Sequence, residues 1–154
     1  IEASIRYASR IQKAFLPNRF ELNVALPNNF IFYKPKNVVG GDFYFFREVD
    51  KKLFLAVADC TGHGVPGALL SIVGSMALQK VIADNKVREA DKILQEVHEE
   101  MRRALRQSQD GGGMEIAICV IDNAQNTLEV ASARTPVYIF QNDMLHVVEG
   151  ERVM

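Results

Sequence analysis

The stretch LFLAVADCTGHGVPGALLSIV, residues 53–73, changes character twice. It opens as an apolar, strand-like run, stops at Asp59, passes through Thr61-Gly62-His63-Gly64, and resumes from Val65 to about Ala83 with helical spacing, Pro66 being acceptable in a first helical turn. A carboxylate at the end of an apolar strand is costly unless it meets a cation or several donors. Asp59 therefore calls for a partner, and the glycines after it let the backbone approach a small ion or a phosphate.

The same device occurs upstream. In NVVGGDFYFFREVD, residues 37–50, Gly40 and Gly41 mark a bulge or a close backbone approach just before Asp42. A short turn at Lys51 and Lys52 separates this run from LFLAVAD, so the two should pair as an antiparallel hairpin with Asp42 and Asp59 near each other at one end. An aspartate beside glycine commonly just makes a turn. Two of them at the ends of paired strands instead form a hard-oxygen site that suits magnesium or manganese better than zinc.

The rest of the chain reads as helix, strands, two helices, strands. IEASIRYASRIQKAFLP places Ile1, Ile5, Ala8, Ile11 and Phe15 on one stripe of an amphipathic helix ended by Pro17. After a polar loop, NFIFYKP (29–35) reads as a further strand from its aromatic and β-branched content. READKILQEVHEEMRRALRQ carries a second central helix with Ala90, Ile93, Leu94, Val97, Met101 and Leu105 as its apolar stripe. SQDGGGM breaks that helix with a mobile loop, and MEIAICVID, TLEVASA, PVYIF and MLHVVEG give four more strands joined by short turns. Short turns imply antiparallel pairing, and helices covering a face imply a layered α/β sandwich rather than a doubly wound parallel sheet.

Composition narrows the function. The 154 residues, 48% of them apolar, suffice for one domain with an ordinary core. Eighteen basic against nineteen acidic residues leave a net charge of -1 without a basic stripe, which argues against a nucleic acid partner. Cys60 and Cys119 lack C-x-x-C spacing and sit among apolar residues, as reduced thiols of a cytoplasmic protein would. No run of eighteen apolar residues and no signal-peptide layout is present.

Taken together, VVGGDFYFF, LAVADCTGHGVPGALLS and GGGMEIAICVID closely resemble the metal-dependent protein phosphatases of the PPM family, in their bacterial SpoIIE-like branch, and YASRIQKAFLP looks like the helix that precedes that catalytic domain in sensor-linked members. The resemblance implies an α+β fold, a four-layer α/β/β/α sandwich of two antiparallel sheets flanked by helices. It divides the chain into a linker helix over 1–17, either the end of a coiled coil from an upstream sensor or a simple packing helix, and a partial phosphatase domain over 18–154. It implies two Mn2+ or Mg2+ ions, with Asp42 as the first metal aspartate, Asp59 as the bridging one and Cys60 as a backbone-carbonyl ligand. The implied activity is hydrolysis of phosphoserine or phosphothreonine by a metal-activated water, the output step of a signalling protein. The implied partner is a phosphorylated regulator such as an anti-sigma factor antagonist. Location would be cytoplasmic, or tethered to a membrane through the sensor.

Neither cysteine is then a nucleophile. His63 stands where a general acid could protonate a leaving alkoxide, although lysine is common there in related members. Lys34 and Lys36, just before the glycine pair, could attract a phosphorylated substrate, and Lys36 is the candidate substrate contact; ordinary surface lysines would look the same. His98 and His146 default to solvent. Further metal carboxylates are expected beyond Met154, so this stretch alone should be inactive or weakly active, with an open sheet edge that favours self-association, for instance as a homodimer. Glu115, where many relatives carry aspartate, has no assigned metal role, and ASARTP departs from the usual turn around Arg134. The competing function is a non-catalytic binding module that keeps the fold. GGDF also resembles the signature of diguanylate cyclases, but Phe43 stands where those need an acid and they have no counterpart to DCTGHG.

Overall fold

The computed structural model describes residues 2–84, 86–105 and 112–151. Element order is α1 (Glu2–Phe15), α2 (Arg19–Ala25), β1 (Asp42–Val49), β2 (Lys52–Cys60), α3 (Gly64–Gln79) running into a π turn at Lys80–Asp84, α4 (Ala90–Ala104), β3 (Met114–Asp122), β4 (Thr127–Ala133), β5 (Val137–Gln141) and β6 (Met144–Val148). The first four strands form an antiparallel sheet in the order β1-β2-β3-β4, and β5 and β6 form a second, two-stranded antiparallel sheet. Two antiparallel sheets with helices are thus the architecture expected from the sequence.

The β1–β2 hairpin closes through Asp50 and Lys51, whose φ values of 52° and 63° are the left-handed pair that a two-residue turn requires. Lys52 already pairs with Val49, so the turn lies one residue earlier than the sequence suggested. Alternation along the strands sends Phe43, Phe45, Phe54, Ala56, Ile116 and Ile118 to one face, where they meet Leu78, Val81, Ile93 and Val97 from α3, its π turn and α4. Each of these side chains except Ala56 contributes about 1.5–3 kcal/mol on full burial, which makes this layer the main source of stability. Helix α4 uses the expected stripe, with Ala90, Ile93, Val97 and Met101 buried.

Three expectations need correction. NFIFYKP is not a strand: residues 29–35 run without ladder bonds, and Phe30 and Phe32 are 90% and 85% exposed. Aromatic content favours a strand only where a neighbouring strand accepts its backbone groups, and Pro35 offers no N–H. The loop before it contains a short helix, α2, started by Asn18, whose side chain accepts a hydrogen bond from the Phe20 N–H at 2.9 Å.

Helix α1 packs on a face rotated from its apolar stripe. Ser9 and Gln12 are buried, whereas Ile11 and Phe15 are 41% and 40% exposed. Although no eighteen consecutive apolar residues occur, the continuous helix Gly64–Asp84 spans 21 residues at mean hydropathy 1.5, enough to cross a membrane by length and composition. Its contacts with α1, α4, β1 and β2 make it the central helix of this packed layer. The expected mobile loop at SQDGGGM falls mostly on residues 106–111, outside the described residues.

Candidate metal centre

Helices cover one face of the large sheet. On the other face, register places Asp42 opposite Asp59 and Asp59 opposite Glu115, a row of three carboxylates across β1, β2 and β3. All three are exposed. The hairpin expected from the sequence therefore does bring Asp42 and Asp59 together.

The main chain beside them is tightly fitted. Cys60 N–H donates to the Gly41 carbonyl at 3.3 Å. A Cβ on Gly41 would lie 2.4 Å from the Cys60 carbonyl oxygen, and one on Gly67 would lie 2.7 Å from the Gly62 carbonyl oxygen and 3.1 Å from the Gly41 nitrogen. Only glycine lets the start of β1, the end of β2 and the first turn of α3 approach this closely. Thr61 fixes the other side of the turn, its hydroxyl accepting from the Gly113 N–H at 2.8 Å while its own N–H donates to the Gly113 carbonyl at 2.9 Å. The chain then enters α3 through Gly62 and Gly64, with φ of 94° and 65°.

Electrostatics follow from this placement. Partial burial, followed by the Asp42 charge, the hydrogen bond that a protonated Asp59 donates to Asp42 and the charge of Glu115, raises the Asp59 carboxyl above its ordinary 3.8. Carboxylates that oppose each other in this way would be relieved by a hard divalent cation, and the Cys60 carbonyl held against Gly41 adds an uncharged oxygen. The donors fit Mn2+ or Mg2+ in kind. Among the described residues no group of three or more His, Cys, Asp or Glu side chains gathers closely enough to hold an ion, so the side-chain ligands on offer are few.

The Cys60 thiol is buried in the core, and that burial together with the Asp59 charge pushes it up to about 12. Cys119 is likewise raised by burial. Both are poor nucleophiles, in line with the sequence reading.

His63 is the exposed N-cap residue of α3 and its side chain makes no capping hydrogen bond. Lys36 is exposed, and Lys34 together with Phe30, Phe32, Tyr33, Asp42 and Asp59 lines a groove of about 480 Å³ on the uncovered face of the sheet. His98 and His146 are exposed on α4 and β6.

Two neighbours, Tyr33 and Gln12, escaped sequence reasoning, and the place of a third, Glu115, was missed. Tyr33 donates its hydroxyl to the Asp42 carbonyl at 3.3 Å and packs edge-on against Tyr44, with ring centroids 5.8 Å apart. Glu115, singled out in the sequence but given no metal role there, reaches the row through the β2–β3 register, which no local pattern encodes. Gln12 of α1 bonds the main chain of Gly40; its signal was a polar residue on the inner face of an amphipathic helix.

Comparison with known proteins bears on the family and the fold. The stage II sporulation protein E (SpoIIE) family model matches residues 49–152, and the chain belongs to that family. In three dimensions it is similar to the SiaA-PP2C domain of Pseudomonas aeruginosa, at 35% identity and a TM-score of 0.88 over 98% of this chain. The chain spans 61% of that domain's length.

Two more distant structures share the fold. The PP2C phosphatase domain of SpoIIE from Bacillus subtilis matches at 20% identity and TM-score 0.60, covering 77% of this chain and 34% of that one. The RsbU and RsbW domains of a Mycobacterium tuberculosis protein match at 21% identity and TM-score 0.55, covering 76% of this chain and 32% of that one. No curated protein sequence matches significantly. The chain therefore has the PP2C phosphatase-domain fold.

Proposed function

We propose that this chain is part of a metal-dependent phosphatase domain that hydrolyses phosphoserine or phosphothreonine in a protein. The observation that carries the reading is the direct opposition of Asp42 and Asp59 at the glycine-bounded end of β1 and β2. When bound, paired Mn2+ or Mg2+ ions lower the pKa of a shared water and offset the charge of the phosphate.

The chain's own residues prepare that chemistry. The β1–β2 ladder holds the two carboxylates rigidly, and Gly41 admits the Cys60 carbonyl beside them. His63, exposed at the start of α3, is the candidate donor of a proton to the leaving serine or threonine oxygen. Lys36 and Lys34 are candidate contacts for the substrate phosphate, with the neighbouring groove accepting the flanking peptide.

The proposed substrate is a phosphorylated regulatory protein such as an anti-sigma factor antagonist, a reading supported by the likeness to the RsbU and RsbW domains. Helix α1 would join an upstream sensor, with the domain in the cytoplasm, free or tethered to a membrane through that sensor. A second reading is a non-catalytic binding module that uses the same groove, in which the described residues bring two opposed carboxylates beside exposed aromatic rings.

Manganese-dependent hydrolysis of a phosphoserine peptide separates the two, measured on this chain and on the protein extended through its native C-terminus. Activity in the extended protein supports the enzyme. An extended protein that captures a partner but releases no phosphate at saturating Mn2+ supports the module.

A further inference from the structure

Gln12 is only 5% exposed, on the face of α1 that meets α3. Its carboxamide is fully used. Nε2 donates to the Gly40 carbonyl at 2.6 Å and to Ser71 Oγ at 2.8 Å, and Oε1 accepts from the Gly40 N–H at 3.4 Å. Ser71, itself 2% exposed, donates its hydroxyl to the Ala68 carbonyl at 2.8 Å within α3. One side chain thus joins α1, α3 and the main chain two residues ahead of Asp42.

The choice of Gly40 matters. A Gly-Gly link has little steric preference for one peptide orientation, so its conformation must be imposed from outside. Gly41 is gripped between the Cys60 carbonyl and Gly67. At Gly40 a Cβ would meet nothing nearer than Pro35 at 3.5 Å, so close packing does not fix that residue. Bonding both the N–H and the C=O of Gly40 selects one orientation. A buried carboxamide left unpaired costs about 1–3 kcal/mol, so the three parts hold or release together.

We propose that Gln12 is a positioning residue for the carboxylate pair: by bonding both polar groups of Gly40 it fixes the Gly40-Gly41-Asp42 main chain and hence the aim of Asp42 at the cation shared with Asp59. The proposal rests on reading Asp42 and Asp59 as a cation site. It differs from a packing role, because leucine would fill the same space without holding Gly40.

The test is calorimetric Mn2+ titration of the full-length protein, with amide hydrogen exchange over residues 38–42 as a second readout. Gln12→Leu should weaken Mn2+ binding by about 10-fold, the lower end of what loss of an outer-shell partner costs, and should speed exchange at Gly40. Arg88→Met, at the far end of the hairpin, should lower the melting temperature while leaving Mn2+ affinity within about two-fold, since it touches neither Gln12 nor Gly40. If Gln12→Leu does not fold, Gln12→Glu is read in its place; its carboxylate accepts from the Gly40 N–H but repels the Gly40 carbonyl, so the same weakening is expected.

Unchanged Mn2+ affinity in the Gln12 variant overturns the proposal, as does an equal loss in Arg88→Met. A wild-type protein that binds no Mn2+ overturns instead the reading of the site on which the proposal rests. That outcome is distinct, because it is seen before any variant is made.

Discussion

Asp42 and Asp59 face each other across the β1–β2 ladder, one pair inside the point where Gly41 and Cys60 begin to diverge into loops. Their closeness without a counter-charge is unfavourable, and the cost sits on Asp59, raised first by burial and then by Asp42. The folded carboxyl keeps its proton to a higher pH than the unfolded one, so the folded state binds more protons in that window. Stability therefore falls as pH rises from the ordinary 3.8 through the raised value.

Asp59→Asn removes that penalty. Without metal at pH 7 the variant should melt on the order of 1–2 °C above wild type, the few tenths of a kcal/mol of an exposed pair, and should lose the acid-side gain in stability. With Mn2+ the order reverses. Wild type should gain about 2.7 kcal/mol at a hundred times its dissociation constant, and the variant nothing. Thermal melts across pH 3–7 in chelator, and again at pH 7 with Mn2+, check both parts; an Asn variant still stabilised by Mn2+ would remove Asp59 from the site.

Gly41→Ala should separate close approach from mere turn-making. Its Cβ would sit 2.4 Å from a backbone oxygen, so β1 or the turn after β2 must move, at a cost of about 1–3 kcal/mol. Gly40→Ala meets nothing nearer than 3.5 Å and should fold with little loss. Urea unfolding of the two variants side by side, followed by Mn2+ titration, reads the difference.

Most of the hairpin site was legible because it is local. Glycine pairs, an acid at each strand end and a short connection fix the β1–β2 partnership without knowledge of the rest of the fold. The place of Glu115 in the row and the role of Gln12 were not legible, since one depends on which strand β2 takes as its second neighbour and the other on which side of α1 meets α3. The misread strand at residues 29–35 has the same origin. Side-chain pattern reports what a segment could pair with, and pairing itself is decided by a partner elsewhere in the chain.

Cys60 offers a check on the assignment of its carbonyl rather than its sulfur. With the thiol at about 12, iodoacetamide at pH 8 should leave Cys60 unmodified in the native protein and modify it once urea unfolds the chain. Cys60→Ala should cost about 1 kcal/mol of stability through lost packing and keep Mn2+ binding. Loss of Mn2+ binding at unchanged stability would transfer the role to sulfur.

Phe30 and Phe32 test how the uncovered face behaves. Exposed at 90% and 85%, they bury almost nothing here, so Phe30→Ser with Phe32→Ser should change the unfolding free energy of this chain by less than about 0.5 kcal/mol each. Exposed aromatic surface of this kind drives association. Light scattering at increasing concentration should accordingly fall in the double variant, and a large loss of stability would mean that these rings are covered in solution.

Arg88 decides between charge pairing and main-chain capping as the reason the hairpin and the π turn stay together. Its guanidinium meets Asp50 Oδ2 at 2.7 Å, donates to the carbonyls of Ile82 at 2.6 Å and Val87 at 3.1 Å, and lies 5.8 Å from the Phe54 ring centroid. The Asp50 side chain is 71% exposed, so the ion pair is worth at most a few tenths of a kcal/mol. The carbonyls are different, because a buried acceptor that loses its donor costs about 1–3 kcal/mol. Asp50→Asn should therefore be nearly silent in denaturant melts, whereas Arg88→Met should lose about 1–3 kcal/mol, with little dependence on salt. Equal losses from the two variants, abolished by added salt, would return the role to the ion pair.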